Sequence, residues 1–173
     1  VLDNSQRLER IINDILDLGR RDRIYPELID LRETLPVFVD EYLLKEQLPA
    51  AVVDLQLSGV AQLYFDRSHF HRMLWNLIGN ALRHSQRSAG SICIRISDAR
   101  IDEHVEMHVI DDGPGVEEAA REHIFEPFFT THHRGTGLGL YIARELCEAN
   151  GARLELVGGA VGADFCVIGR ATA

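Results

Sequence analysis

The spacing of apolar positions changes several times along this chain, and each change marks an element. In residues 1–22, VLDNSQRLERIINDILDLGRRD, the positions Val1, Asn4, Leu8, Ile11, Ile15 and Leu18 recur at spacings of three and four, and Ile12 and Leu16 widen the stripe. That predicts a helix of roughly 33 Å at ~1.5 Å per residue. Such a helix either packs on its own domain or joins an intermolecular bundle; its length and terminal position favour the bundle. Gly19 and Pro26 end the pattern.

From residue 27 the periods shorten and alternate. Residues 27–31, 50–57 and 61–65 read as strands, and 32–47 as a helix despite Pro36. Residues 66–86 form a strongly amphipathic helix with Asp66 as its N-cap. Residues 91–99 and 104–111 alternate apolar with polar and read as neighbouring antiparallel strands. A loop at DDGPGV and a short helix near 117–123 follow, then a helix over 136–149 and strands at 153–157 and 164–169. Helices and strands in mixed order, without regular βαβ alternation, predict an α+β fold. The expected architecture is a two-layer α/β sandwich with a mixed, mostly antiparallel sheet and helices on one face, preceded by the N-terminal helix.

Composition narrows the partners. The 173 residues suit one domain with a short appendage, and no apolar run is long enough to span a membrane. A net charge of −9 argues against a general nucleic-acid binder, which needs Lys and Arg for phosphate backbones. It leaves room for a small anion held by backbone N–H groups and a metal. Cys93, Cys147 and Cys166 are odd in number and form no CxxC pair, so they read as reduced, mostly buried thiols.

The helix at 66–86 carries chemistry. At about 100° per residue, Asn76, Asn80 and Arg83 share one face, with Arg72 and His69 beside them, while Phe70, Leu74, Leu77 and Ala81 point into a core. Asn is a poor helix former, so two of them one turn apart call for a reason. They are either an indifferent solvated face or neutral, hard ligands for Mg²⁺ with Arg nearby for phosphate. The loop after residue 110, Asp111-Asp112-Gly113-Pro114-Gly115, is either an ordinary acidic turn or a strand-end carboxylate that accepts from an exocyclic amine.

The stretch GTGLGL at 135–140 runs into a helix start, where unpaired N–H groups and the helix dipole favour an anion. It is neither a Walker loop nor a Rossmann fingerprint. The preceding IFEPFFTTHHR lacks periodicity and reads as a lid anchored by Phe125, Phe128 and Phe129. His132 and His133 are adjacent, without Cys or paired carboxylates at ligand spacing, so no zinc site is expected there.

Together and in order, DRSHFHRMLWNLIGNALRHS, DDGPGV, IFEPFF and GTGLGL resemble the N, G1, F and G2 boxes of the histidine-kinase catalytic domain, in the ATP-binding superfamily shared with gyrase B, Hsp90 and MutL. The likeness covers about residues 25–168, and the run from EPFFTT to LCEANGA is especially similar to sensor kinases of the nitrogen-regulation and type IV pilus type. The resemblance implies Mg²⁺ and ATP as ligands. It assigns Asn80 to Mg²⁺ and Asn76 to the catalytic position near the phosphates. Arg83 and His84 would approach phosphate or ribose. Asp111 would take the adenine amine, with Gly113 and Gly115 shaping its pocket. Thr130, Thr131 and Arg134 would belong to the lid, and Gly135, Thr136, Gly137, Leu138 and Gly139 would wrap the phosphates.

By the same resemblance, residues 1–24 are the end of the second helix of a dimerisation hairpin. Residues 25–173 are the catalytic domain, with its lid at about 116–135. None of the eight histidines stands in the family's phosphoacceptor pattern. The implied activity is therefore transfer of the ATP γ-phosphoryl to a His on an upstream segment absent from this chain, for relay to a response-regulator Asp. The implied partners are that regulator and the chain's own hairpin, in a homodimeric full-length protein. No nucleic acid and no membrane contact by this fragment are expected. The implied location is cytoplasmic, compatible with an inner-membrane anchor in a full-length protein.

Three positions depart from the family pattern. His132 stands where Lys or Arg is common, Asp112 where Asn is common, and Ala163 where a Thr hydroxyl would serve the adenine. Two other readings compete. An ATPase of the same superfamily would want a carboxylate near Asn76 to activate water, and Asn76 itself cannot. A nucleotide-gated binding module fits poorly with the leading heptad.

Overall fold

The computed structural model describes residues 11, 12, 16, 19, 23–59, 61–98, 103–131, 135–158 and 162–173. Most of the expected N-terminal helix lies outside them. Of its stripe, Ile11, Ile12 and Leu16 are helical. Ile11 packs partly against the core, whereas Ile12 and Leu16 are exposed.

The sheet has five strands in the order β2-β4-β5-β7-β6, formed by β2 (Val53–Leu57), β4 (Ile92–Asp98), β5 (His104–Asp111), β7 (Asp164–Arg170) and β6 (Arg153–Val157). β2 runs parallel to β4, and the other three pairings are antiparallel, in line with the mixed, mostly antiparallel expectation. Strands β1 (Pro26–Asp30) and β3 (Gln62–Asp66) pair with each other in a separate two-stranded sheet. Period-2 alternation identifies strands but not their neighbours, which is why this split was not foreseen.

Beyond the N-terminal segment, four α-helices and a 3-10 turn (Ala50–Val52) complete the described fold: α1 (Leu31–Lys45), α2 (Arg67–His84), the single turn α3 (Glu118–Arg121) and α4 (Gly139–Ala149). α2 and α4 pack together, α2 against β4 and β5 and α4 against β6. The core lies between these helices and one sheet face. Ile94 and Val109 face each other across β4 and β5, with Phe165 on β7 next in line. Burying such side chains contributes about 1.5–3 kcal/mol each.

Polar groups fix where the helices start. Asp30 caps α1 by accepting from the N–H groups of Arg32 and Glu33. Asp66 caps α2, its Oδ1 accepting from the N–H groups of Ser68 (2.9 Å) and His69 (3.0 Å), and its Oδ2 from the N–H of Tyr25 (2.8 Å). The N–H of Asp66 donates to Asn150 Oδ1 at 2.8 Å. The Asn150 amide nitrogen donates to the carbonyl of Leu146 and lies 3.1 Å from His69 Nδ1. The end of α4 is thereby tied to the start of α2. His69 is buried in this network rather than on the polar stripe of α2. The network also acts on the Asp66 carboxyl. Burial pushes its pKa up, but the hydrogen bonds from Ser68, Tyr25 and His69 outweigh burial and hold it below the usual carboxylate range.

The three cysteines are free thiols. Burial raises the pKa of all three, that of Cys166 to about 12, and none is poised as a nucleophile.

Candidate nucleotide site

A cavity of about 950 Å³ opens between α1, α2, the loop after β5 and the segment before α4. It is large enough for a nucleotide-sized ligand. Asn76, Asn80, Arg83 and His84 line it from the polar face of α2, while Leu74, Leu77 and Ala81 of the same helix are fully buried. Asp111, Gly115, Thr130, Thr131, Gly135, Thr136, Gly137 and Gly139 also line it. Of the other expected site residues, Leu138 is buried, and neither it nor Gly113 is part of the cavity wall. Arg134 and the departure at His132 lie outside the described residues.

Asp111 ends β5 and is buried. Its Oδ1 accepts from the N–H groups of Gly113 (2.9 Å) and Ala163 (3.2 Å). Its Oδ2 is buried with no hydrogen-bond partner. A lone carboxylate oxygen in that state costs desolvation free energy, which a donor entering the cavity would offset. The adjoining position must be glycine: Gly162 has φ of +75°, and a side chain there would collide with the Asp111 carbonyl. Asn76 Nδ2 is the second buried orphan on the cavity wall.

The glycine stretch explains its own composition. Gly137 takes φ of +72°, and a side chain on it would collide with the backbone of Phe128. The Phe128 N–H donates to the Gly137 carbonyl at 2.9 Å, and Phe128 itself has φ of +66°. A left-handed residue cannot lie inside a right-handed helix, so α4 starts at Gly139 rather than at the expected 136. No side chain caps it, which leaves its first-turn N–H groups for a ligand. A Cβ on Gly139 would stand 3.6 Å from Asn76 Oδ1, so this N-terminus abuts the Asn face of α2.

The lid differs from expectation at one anchor. Phe125 and Phe129 pack against the core, Phe125 edge-on to Phe165 at 6.2 Å. Phe128 is 64% exposed: its strained backbone turns the ring outward while its N–H joins the glycine stretch. Asp112 is not part of the cavity wall and accepts from the N–H of Gln86 at 2.9 Å. Ala163 lines the cavity and contributes its N–H to Asp111.

Sequence reasoning missed the wall contributed by α1. Tyr42, Lys45 and Glu46 line the cavity beside Trp75 of α2. Lys45 Nζ sits 4.2 Å from the centre of the Trp75 ring, and the Tyr42 ring 4.7 Å from it. Burial, aided by the negative charge of Glu46, raises the Tyr42 pKa to about 12, so its hydroxyl is a neutral donor. Nothing in the sequence of α1 says which helix it crosses, so this wall carried no readable signal.

A buried acceptor at a strand end, a glycine-opened helix N-terminus and a carboxamide face between them define a nucleotide-binding α/β sandwich. The chain belongs to the histidine kinase-, DNA gyrase B- and HSP90-like ATPase family, whose model matches residues 65–168. It is 42% identical over 158 residues to the sensor protein kinase PilS of Pseudomonas aeruginosa, covering 90% of this chain and 30% of that protein. Among solved structures it is similar to full-length ShkA in complex with AMPPNP (TM-score 0.76, 27% identity, 96% of this chain and 36% of that one). It is also similar to the nucleotide-free catalytic domain of the histidine kinase ThkA (TM-score 0.66, 26% identity, 86% of this chain and 97% of that one). The chain spans about a third of the length of these curated relatives, PilS and the sensor protein IrlS of Burkholderia pseudomallei. Among the described residues, no helix is long and apolar enough to cross a membrane.

Proposed function

We propose that this chain is the catalytic part of a protein-histidine kinase: it binds Mg·ATP and passes the γ-phosphoryl to a His on an upstream segment. The observation that carries the reading is the meeting, on one cavity, of the unpartnered Asp111 Oδ2 and the uncapped start of α4, with Asn76 and Asn80 between them. Asp111 Oδ2 accepts from the adenine amine. The first-turn N–H groups of α4 and the glycine stretch hold phosphate oxygens. Arg72 and Arg83, which line the cavity, add positive charge near those oxygens.

The donor set suits Mg²⁺, because a carboxamide oxygen of Asn80 is a hard, neutral ligand beside an anion cradle. Bound there, Mg²⁺ would offset charge on the transferring group. The rest of the site positions and neutralises, and it needs no protein base because the accepting imidazole brings its own lone pair. The likeness to sensor kinases supports the remaining proposals. Residues 1–24 close a dimerisation hairpin, the full-length protein is a homodimer, and a response-regulator Asp receives the phosphoryl. The domain works on the cytoplasmic side of a protein anchored in the inner membrane.

The deciding experiment mixes this chain, labelled Mg·ATP and a longer form of the protein carrying the upstream hairpin with its own Asn80→Ala substitution. Acid-labile, base-stable label on the hairpin is the expected result. Release of free phosphate with no label on protein would instead make the chain an ATPase of the same family.

A further inference from the structure

The sheet face turned away from the helices carries a second cluster, separate from the nucleotide cavity. Glu106 and His108 stand two apart on β5, so their side chains share that face. Cys166 lies directly opposite His108 on β7. His108 Nε2 is 3.7 Å from Cys166 Sγ and 3.6 Å from Glu106 Oε2, and one ligand atom from each of the three residues falls within 4.8 Å of the others. His108 and Cys166 are buried although this face carries no core.

The fourth member of the group orients the third. Asp164, two residues before Cys166, lies with its Oδ1 2.9 Å from His108 Nδ1. A carboxylate only accepts, so Nδ1 carries a proton, and a metal ion would take the lone pair of Nε2. That lone pair points at a carboxylate and a sulfur, which are also electron-pair donors. Three such donors converge with no proton donor between them except the weak thiol. Donor atoms of this kind around tetrahedral zinc, at about 2.0–2.3 Å from the ion, stand about 3.4–3.6 Å apart. The two separations from His108 Nε2, 3.6 and 3.7 Å, are close to that spacing, and the third pair falls within 4.8 Å. A ligating His whose other nitrogen donates to a carboxylate is the usual support for such an ion.

We propose that Glu106, His108 and Cys166 bind a divalent ion of the zinc class, with Asp164 as the positioning residue for His108 and water at the fourth coordination place. Ligation forms a metal–sulfur bond and releases the thiol proton to solvent; no electron is transferred. The mixed carboxylate, imidazole and thiolate set excludes Mg²⁺ and Ca²⁺, which take oxygen ligands.

The test uses the 173-residue chain kept reduced with a phosphine, titrated with Co²⁺ and then competed for Zn²⁺ against a chromophoric chelator. One Co²⁺ per chain is expected, with a thiolate-to-cobalt band in the near ultraviolet. Cys166→Ser removes the band and Cys93→Ser keeps it. Asp164→Asn keeps the band but weakens Zn²⁺ affinity by about 10- to 100-fold. If His108→Ala does not fold, as circular dichroism will report, Glu106→Gln serves in its place and weakens binding while preserving shape. Absence of the band, its survival in Cys166→Ser, or equal Zn²⁺ affinity in all variants overturns the proposal. In that case the cluster is a metal-free group of hydrogen-bonded and ion-paired side chains.

Discussion

The two ends of α2 bury polar groups in opposite ways. At its start, each oxygen of the Asp66 carboxylate accepts a hydrogen bond, and both Asn150 and His69 are engaged. Further along the helix, Asn76 Nδ2, and on the same cavity wall Asp111 Oδ2, are also withdrawn from water but lack partners. The first arrangement fixes the helix, and its free energy is realised on folding. The second leaves part of the desolvation cost unrecovered until a ligand arrives. Along α2, the buried polar groups without partners are the ones on the cavity wall.

Substitutions can break this contrast, beginning with the largest effect. Asn80→Ala should lower Mg·ATP affinity by about 100-fold or more, near 2.7 kcal/mol, while the unfolding midpoint stays put. Calorimetric titration beside a melting curve measures both. Asp111→Asn should cost about 10- to 100-fold in affinity, because a donor amide replaces the waiting acceptor; ADP and ATP should suffer equally, since the defect lies at the adenine.

At the other end the pattern inverts. Asn150→Ala should destabilise the fold by about 1–3 kcal/mol, because it orphans the Asp66 N–H, with nucleotide affinity unchanged in urea-unfolding and binding assays on the same sample. The depressed pKa of Asp66 adds a pH signature. Its contribution is fully present above the ordinary carboxylate range. It is lost as pH falls through the lower folded-state value, below about 4. Asp66→Asn should lose stability at pH 7 and show a shallower decline below pH 4, and parallel curves for both proteins would refute the assignment.

The smallest expected effect sharpens the comparison at the cavity wall. Gly79 is a costly residue in mid-helix, and a Cβ there would meet the Tyr42 hydroxyl at 3.4 Å. Gly79→Ala should gain up to about 1 kcal/mol in stability and lose about threefold in nucleotide affinity; a gain in both would mean that Tyr42 takes no part in the cavity's shape.

What the sequence disclosed divides along the same line. The two faces of α2, the Asp66 cap and the glycine stretch were legible because each depends on residues within a few positions. The α+β class followed from element order. The pairing of β1 with β3, the inward turn of His69 and the wall built by Tyr42 and Lys45 were not legible, because each is decided by a segment dozens of residues away. Asn150 sits 81 positions from His69, and Cys166 58 from His108. Phe128 was expected as an anchor from its apolar character. The backbone bond to Gly137 overrides that preference.

The pairing order of the sheet also sets a schedule. β4–β5 and β6–β7 join neighbouring segments and close small loops, whereas β5–β7 must bring His104–Asp111 to Asp164–Arg170. Loop-closure entropy delays that last docking. Asp111 receives the Ala163 N–H only when it happens. During refolding, helical signal and hairpin formation should therefore precede any capacity to hold adenine. A fluorescent nucleotide added to the refolding chain would then act as a clock for the final step.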